Sequence, residues 1–228
     1  MRELSREPFA GTIIFKLTAT DFAEWPDRRL AEVSAGTVKR EMDLLSGVLA
    51  IARQEWGYLT ENPMAGVRRP RKPPPRHRLG TDREMAALAI SPGSDLSNAT
   101  ARTFHAFLFA IETAMRSGEI LSLTWDNIDL KAKVAHLPMT KNGQPRDVPL
   151  SREAVRLLEA LPYADPVFDL TSPLRDALWR KLRARAGVEG LTFHDARHMA
   201  ITRLARRLDV LDLARMVGHK NISELMTY

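Results

Sequence analysis

The sequence predicts a mainly α-helical fold with one small antiparallel β-sheet, an α+β chain in two parts. Three observations carry this. Apolar residues recur at spacings of three and four through most of the chain, the period of an amphipathic helix. Residues 125–150 change character and carry strand and hairpin chemistry. A proline- and arginine-rich stretch, VRRPRKPPPRHRLG at 67–80, interrupts both patterns. Consecutive prolines fix φ and lack the backbone N–H, so neither a helix nor a central strand runs through them. The expected organisation is a small helical domain at 1–66, a linker at 67–80 and a larger domain at 81–228.

Residues 1–16 are ambiguous. Residues 20–33 read as a short helix that Pro26 breaks or kinks. Residues 36–58 read as one helix, with Val38, Met42, Leu45, Val48, Leu49, Ala52 and Trp56 on one face and Gly57 as its stop. Asn62-Pro63 marks a turn. Past the linker, Thr81 with Glu84 three residues on fits a capping box. A strongly apolar helix follows at 100–113, then a short one at 116–124. Asp126-Asn127 and Asp129 supply turn chemistry, VAHLPM alternates loosely, Lys141-Asn142-Gly143 signals a hairpin turn, and Arg146 to Leu150 is the returning strand. Ser151 caps a helix reaching Leu161, and Ser172-Pro173 opens another through about Arg185. Helical stretches at 194–207, 210–217 and 222–228 complete the chain, with Gly218 ending the second.

Charge narrows the partners. The formal net charge is +6, distributed as −2 over 1–66, +6 over 67–80 and +2 over 81–228. The excess therefore sits in the linker, on Arg68, Arg69, Arg71, Lys72, Arg76 and Arg78. Such a run is a solvated spacer or a stiff positive strap against a polyanion. The chain has no cysteine, which excludes disulfides, zinc–thiolate sites and thiol nucleophiles. No apolar run approaches the roughly 20 residues that span a bilayer, and the N-terminal apolar stretch is too short for a secretory signal. A cytoplasmic protein is the expectation, with no membrane partner.

Polar residues in apolar surroundings are the candidate site. Arg116 follows the apolar helix, with Glu119 one turn on, placed to orient its guanidinium or merely to pair with it on a surface. Lys141 sits at the hairpin tip, as plain surface charge or as a mobile cation. In His194-Asp195-Ala196-Arg197-His198, His194 and Arg197 are three apart and can face one ligand. The i,i+4 histidine pair invites a zinc reading, which fails because the glutamate of H-E-x-x-H and a third ligand are missing. An imidazole beside a guanidinium favours an anion. His219 and Tyr228 lie nine positions apart.

Together, ETAMRSGE, TKNGQPRDVPL, HDARH and GHKNISELMTY resemble, in order and spacing, the four boxes of the tyrosine recombinases of the phage integrase family. The resemblance covers about residues 81–228, and SAGTVKREMDLL with Asn62-Pro63 is similar to the family's helical core-binding domain. It implies a tyrosine-recombinase catalytic domain at 81–228 that cleaves and rejoins DNA through a 3′-phosphotyrosyl link, with no metal, cofactor or ATP. Tyr228 is then the nucleophile, His194 its proton acceptor, and Arg116 and Arg197 the phosphate ligands. Lys141 is the general acid, and His219 donates a further hydrogen bond. Glu119, Asp195 and His198 orient these groups. Arg68, Arg69, Arg71 and Lys72 of the linker, and Lys39 and Arg40 of the N-terminal helix, are the expected DNA contacts. The implied partners are double-stranded DNA and a homotetramer assembled on it. Relative to the family, the sequence stops at its nucleophile and its first domain is abbreviated, so a missing C-terminal tail is expected. Two alternatives follow: a catalytically inactive DNA-binding fragment, or strand cleavage like that of a type IB topoisomerase.

Overall fold

The structure is a computed structural model, and it describes residues 4–71, 78–139, 143–219, 221 and 225. The chain divides into two compact units, Met1–Pro75 and Arg76–Tyr228. The division falls inside the proline-rich segment.

The first unit begins with short 3-10 turns through Lys16. Helices α1 (Ala19–Ala23), α2 (Trp25–Leu30) and α3 (Ala35–Gln54) follow. Pro26 lies in the first turn of α2, where its missing N–H costs nothing, so it starts a helix and separates α2 from α1. Phe9, Phe22, Trp25, Val38, Met42, Leu49, Met64 and Val67 form the core. Phe9 packs on Phe22 at 4.8 Å and edge-on to Trp25 at 5.6 Å. Two residues expected on the buried face of α3 are not there: Val48 is 45% and Trp56 54% exposed. Ten residues at 100° each carry Val48 well off the stripe defined by Val38, and Trp56 lies past the end of the helix. Asn62 ties the chain back to α3, donating from Nδ2 to the Ser46 carbonyl at 2.9 Å.

The second unit contains α4 (Asp82–Ile90), α5 (Ala99–Thr113), α6 (Ser117–Leu121), β1 (Ile128–Asp129), β2 (Val134–Leu137), β3 (Arg146–Pro149), α7 (Arg152–Glu159), α8 (Ser172–Ala186), α9 (Asp195–Leu204) and α10 (Val210–Val217). Thr81 and Glu84 form the expected capping box at α4, and Ser151 caps α7. The cap of α8 is Thr171, one residue earlier than expected. Its hydroxyl accepts from the Leu174 amide, which moves Ser172 into the first turn. The stretch expected to be a helix at 222–228 lies outside the described residues, as do Lys141 and Asn142 of the hairpin tip.

Apolar α5 is the spine, packed by α7, α8 and α9. Phe107 stacks on Trp179 at 4.2 Å and meets Phe193 edge-on at 5.7 Å. The strands form one antiparallel sheet in the order β1-β2-β3, with Ala135 opposite Val148 and Leu137 opposite Arg146. Ala135, Leu137 and Val148 are buried, so the two-residue period sends Arg146 inward too, while His136 and Asp147 pair outside.

Candidate active site

The site is built where α5 stops. Ala114 takes a left-handed conformation (φ 54°) at the C-terminus of α5, a position that costs an alanine about 1–2 kcal/mol. The reversal places Arg116 at the N-cap of α6 and turns the Ala114 carbonyl toward α9. Arg197 of α9 donates Nη1 to that carbonyl.

Helix α10 supplies the other half. Gly218 (φ 68°) ends it in a Schellman turn: the His219 amide donates to the Ala214 carbonyl at 3.0 Å, and the Gly218 amide to that of Arg215 at 3.3 Å. This motif leaves the carbonyls of Met216, Val217 and Gly218 to be met from outside the helix. Three arginines from three elements meet them. Arg146 Nε donates to Met216 O at 3.1 Å, Arg197 Nη2 to Val217 O at 2.7 Å and Arg116 Nη2 to Gly218 O at 3.1 Å. The helix dipole adds attraction, since its C-terminus carries about half a negative charge.

Glu119 joins two of these cations. Its carboxylate accepts from Arg146 Nη1 and Nη2 at 2.9 and 2.7 Å, from Arg116 Nη1 at 3.0 Å and from the Arg116 amide at 2.8 Å. Those four bonds match the lone-pair sites of a carboxylate. Burial alone would raise the Glu119 pKa. The Arg146 fork, the Arg116 amide and the nearby positive charge outweigh it, and the net shift is downward. Glu119 is therefore ionised at neutral pH.

His194 precedes α9 and lies exposed beside this cluster, its ring edge-on to that of His198 at 5.1 Å. Its pKa is lowered, first by partial desolvation and then by the charges of His198 and Arg197, with Asp195 pulling the other way and Arg116 adding a smaller push down. The imidazole is thus neutral near pH 7 and has a lone pair to accept a proton. Arg116, Ser117, Gly118, Glu119, Ser122, Met139 and His194 line an open cleft of about 430 Å3.

The structure thus brings together Arg116, Glu119, His194, Arg197 and His198, with His219 directly after the clamped helix end. Asp195 is buried and accepts the Thr192 amide at 2.6 Å, steadying the first turn of α9. Lys141 and Tyr228 lie outside the described residues. In the first unit, Arg68 and Arg71 are exposed, Arg69 pairs with Asp43, and Arg40 Nε donates to Gly36 O at 3.1 Å, beside half-buried Lys39. Lys72 is outside the described residues. The sequence reading missed Arg146. The usable signal was its inward register with Val148 and Leu150 on a strand where Asp147 and Pro149 face out. Among the described residues, no group of three or more His, Asp or Glu side chains is arranged to hold a metal ion.

The chain is similar to known proteins in sequence and in fold. Residues 82–228 match the model of the phage integrase family. The chain is 42% identical over 226 residues to an integrase/recombinase of Haemophilus influenzae, covering 96% of this chain and 74% of that protein. It is 39% identical over 237 residues to a shufflon-specific DNA recombinase of Escherichia coli, covering 99% of this chain but only 61% of the relative. Its fold matches a lambda integrase tetramer bound to a Holliday junction with a TM-score of 0.78, at 19% identity, over 98% of this chain and 68% of that one. No helix among the described residues is long and apolar enough to cross a membrane.

Proposed function

Because the chain belongs to the phage integrase family, the tyrosine recombinases, we propose that it cuts and rejoins DNA at specific sites through a phosphotyrosyl bond at Tyr228. The observation that supports this best is that Arg116 and neutral His194 line one open cleft, with buried Arg197 and His219 at the adjoining helix end. Arg116 and Arg146 share the one carboxylate of Glu119, which leaves positive charge at this end of the cluster for a phosphodiester.

The chemistry follows from the residue types. The Tyr228 oxygen attacks phosphorus, the bond from phosphorus to the 5′-oxygen breaks, and DNA is left joined to the protein through its 3′-phosphate. A phenol of pKa near ~10 is a weak nucleophile at neutral pH, so His194 takes its proton. Lys141 gives a proton to the leaving 5′-oxygen. Arg116 and Arg197 hold the non-bridging oxygens and offset the charge that builds in the transition state, with His219 donating one further bond. A phosphate oxygen carries more charge than a carbonyl, so the phosphodiester competes well for guanidiniums that now hold the carbonyls of α10. Attack by the freed 5′-hydroxyl reverses each step. Bond energy is conserved in the covalent intermediate, so the cycle uses neither ATP nor a cofactor.

In this reading, 81–228 is the catalytic domain and 1–66 the core-binding domain. The 67–80 strap with Arg68, Arg69, Arg71 and Lys72, together with Lys39 and Arg40, contacts duplex phosphates. Four copies assemble on two duplexes. The test uses a nicked duplex whose site is selected by this chain from random-sequence DNA. Incubation in EDTA and a denaturing gel should give a covalent protein–DNA band that Tyr228→Phe abolishes. DNA binding with no band would leave a DNA-binding protein without strand-cleaving activity.

A further inference from the structure

We infer that Arg146 is a positioning residue for strand cleavage, holding Glu119 and the end of α10 so that Arg116 stays available to the phosphate. The inference rests on the recombinase reading and goes beyond it, because Arg146 lies outside the set of residues assigned to the reacting groups.

Three features set Arg146 apart from an ordinary ion-pair residue. Its side chain is 9% exposed and its partner Glu119 7%, so the pair is withdrawn from solvent. It binds Glu119 through both terminal nitrogens in a parallel fork, while its Nε takes the Met216 carbonyl. It also packs against Gly218: a Cβ there would come within 2.9 Å of Arg146 Nη1 and 3.2 Å of its Cζ. One planar group from β3 thus fixes both the carboxylate behind Arg116 and the helix end that precedes His219.

Charge sharing gives this a consequence for catalysis. Glu119 divides its negative charge between Arg146 and Arg116. Without Arg146, the whole carboxylate would draw on Arg116, and that guanidinium would be neutralised before a phosphate arrived. The carbonyl of Met216 would also lose its donor, and the segment running on to His219 would lose a fixed anchor. A lysine keeps the charge but has no planar fork, so it cannot hold Glu119 at two points and Met216 at a third.

The experiment compares the full wild-type chain with Arg146→Lys and Arg146→Leu on the selected nicked duplex. DNA affinity across a salt series and the single-turnover rate of covalent attachment at saturating DNA are both measured. Arg146→Lys should melt cooperatively, bind DNA within about threefold of wild type with an unchanged salt slope, and attach about 10- to 100-fold more slowly. If Arg146→Leu also folds, adding Glu119→Gln should recover part of its lost rate, because nothing then draws Arg116 aside. A lysine variant that attaches at the wild-type rate would overturn the inference. So would a weaker affinity with a shallower salt slope, which would make Arg146 a phosphate contact. Wild-type protein that never attaches would instead remove the recombinase reading on which the inference stands.

Discussion

Glu119 shows what a carboxylate does in a site built to hold an anion. It accepts four bonds and sits between two arginines, which keeps it charged despite burial. Glu119→Ala should therefore cost about 3–5 kcal/mol, the scale for leaving a buried charge without its partner; a shift in denaturant midpoint measures it. His194 makes a pH prediction. Its folded pKa lies below the ordinary histidine value, so it stays deprotonated, and able to accept a proton, down to lower pH than a free imidazole. The acid limb of kcat/KM, which reports the free protein, should fall below pH ~6.5. A limb centred above pH ~7 would contradict the role assigned to His194. Most of this site was legible in the sequence because its residues fall in short, spaced boxes. Arg146 was not, since its role comes from the register of β3 against β2 and from a helix end seventy residues away.

Elements explain why those residues meet. Ala114 and Gly218 each turn a helix end into the left-handed region, and the carbonyls released there are what the arginines bind. At Gly218, a side chain would meet both an unfavourable φ and the Arg146 guanidinium. Gly218→Ala should lower stability by more than the ~1–2 kcal/mol of the backbone term alone and slow covalent attachment as well, read by thermal melting and single-turnover rate. The stop at Gly218 was legible because glycine announces it. The end of α5 at Thr113 was legible too, but the left-handed turn at Ala114 was not, because tertiary bonds impose that conformation on a residue that seldom adopts it. Two further differences have local causes. Thr171 takes the α8 cap ahead of Ser172, since either hydroxyl suits the position. Val48 leaves the buried stripe of α3 because a spacing of three or four, repeated, still drifts around a 3.6-residue helix.

At the scale of the molecule, charge and domain order carry the account. The net positive charge lies in the segment where the chain divides, and alternating prolines and arginines made that segment legible. Phosphate contacts give a salt slope of about 0.9 per neutralised charge on duplex DNA. Exposed Arg68 should show that full loss on mutation to alanine, while Arg69, already paired with Asp43, should show less; affinity measured across a salt series decides between equal and unequal slopes. What no periodicity could supply is the joining of α5, β3, α9 and α10 around Arg116 and Glu119, because those contacts run between distant segments. The most direct test of the whole account is to isolate the covalent protein–DNA complex, digest both components and identify the modified residue by mass spectrometry. The account predicts one nucleotide 3′-phosphate on the Tyr228 side chain, formed in EDTA and lost on Arg116→Ala. Attachment through any other residue, or none from a wild-type protein that binds the site, would contradict it.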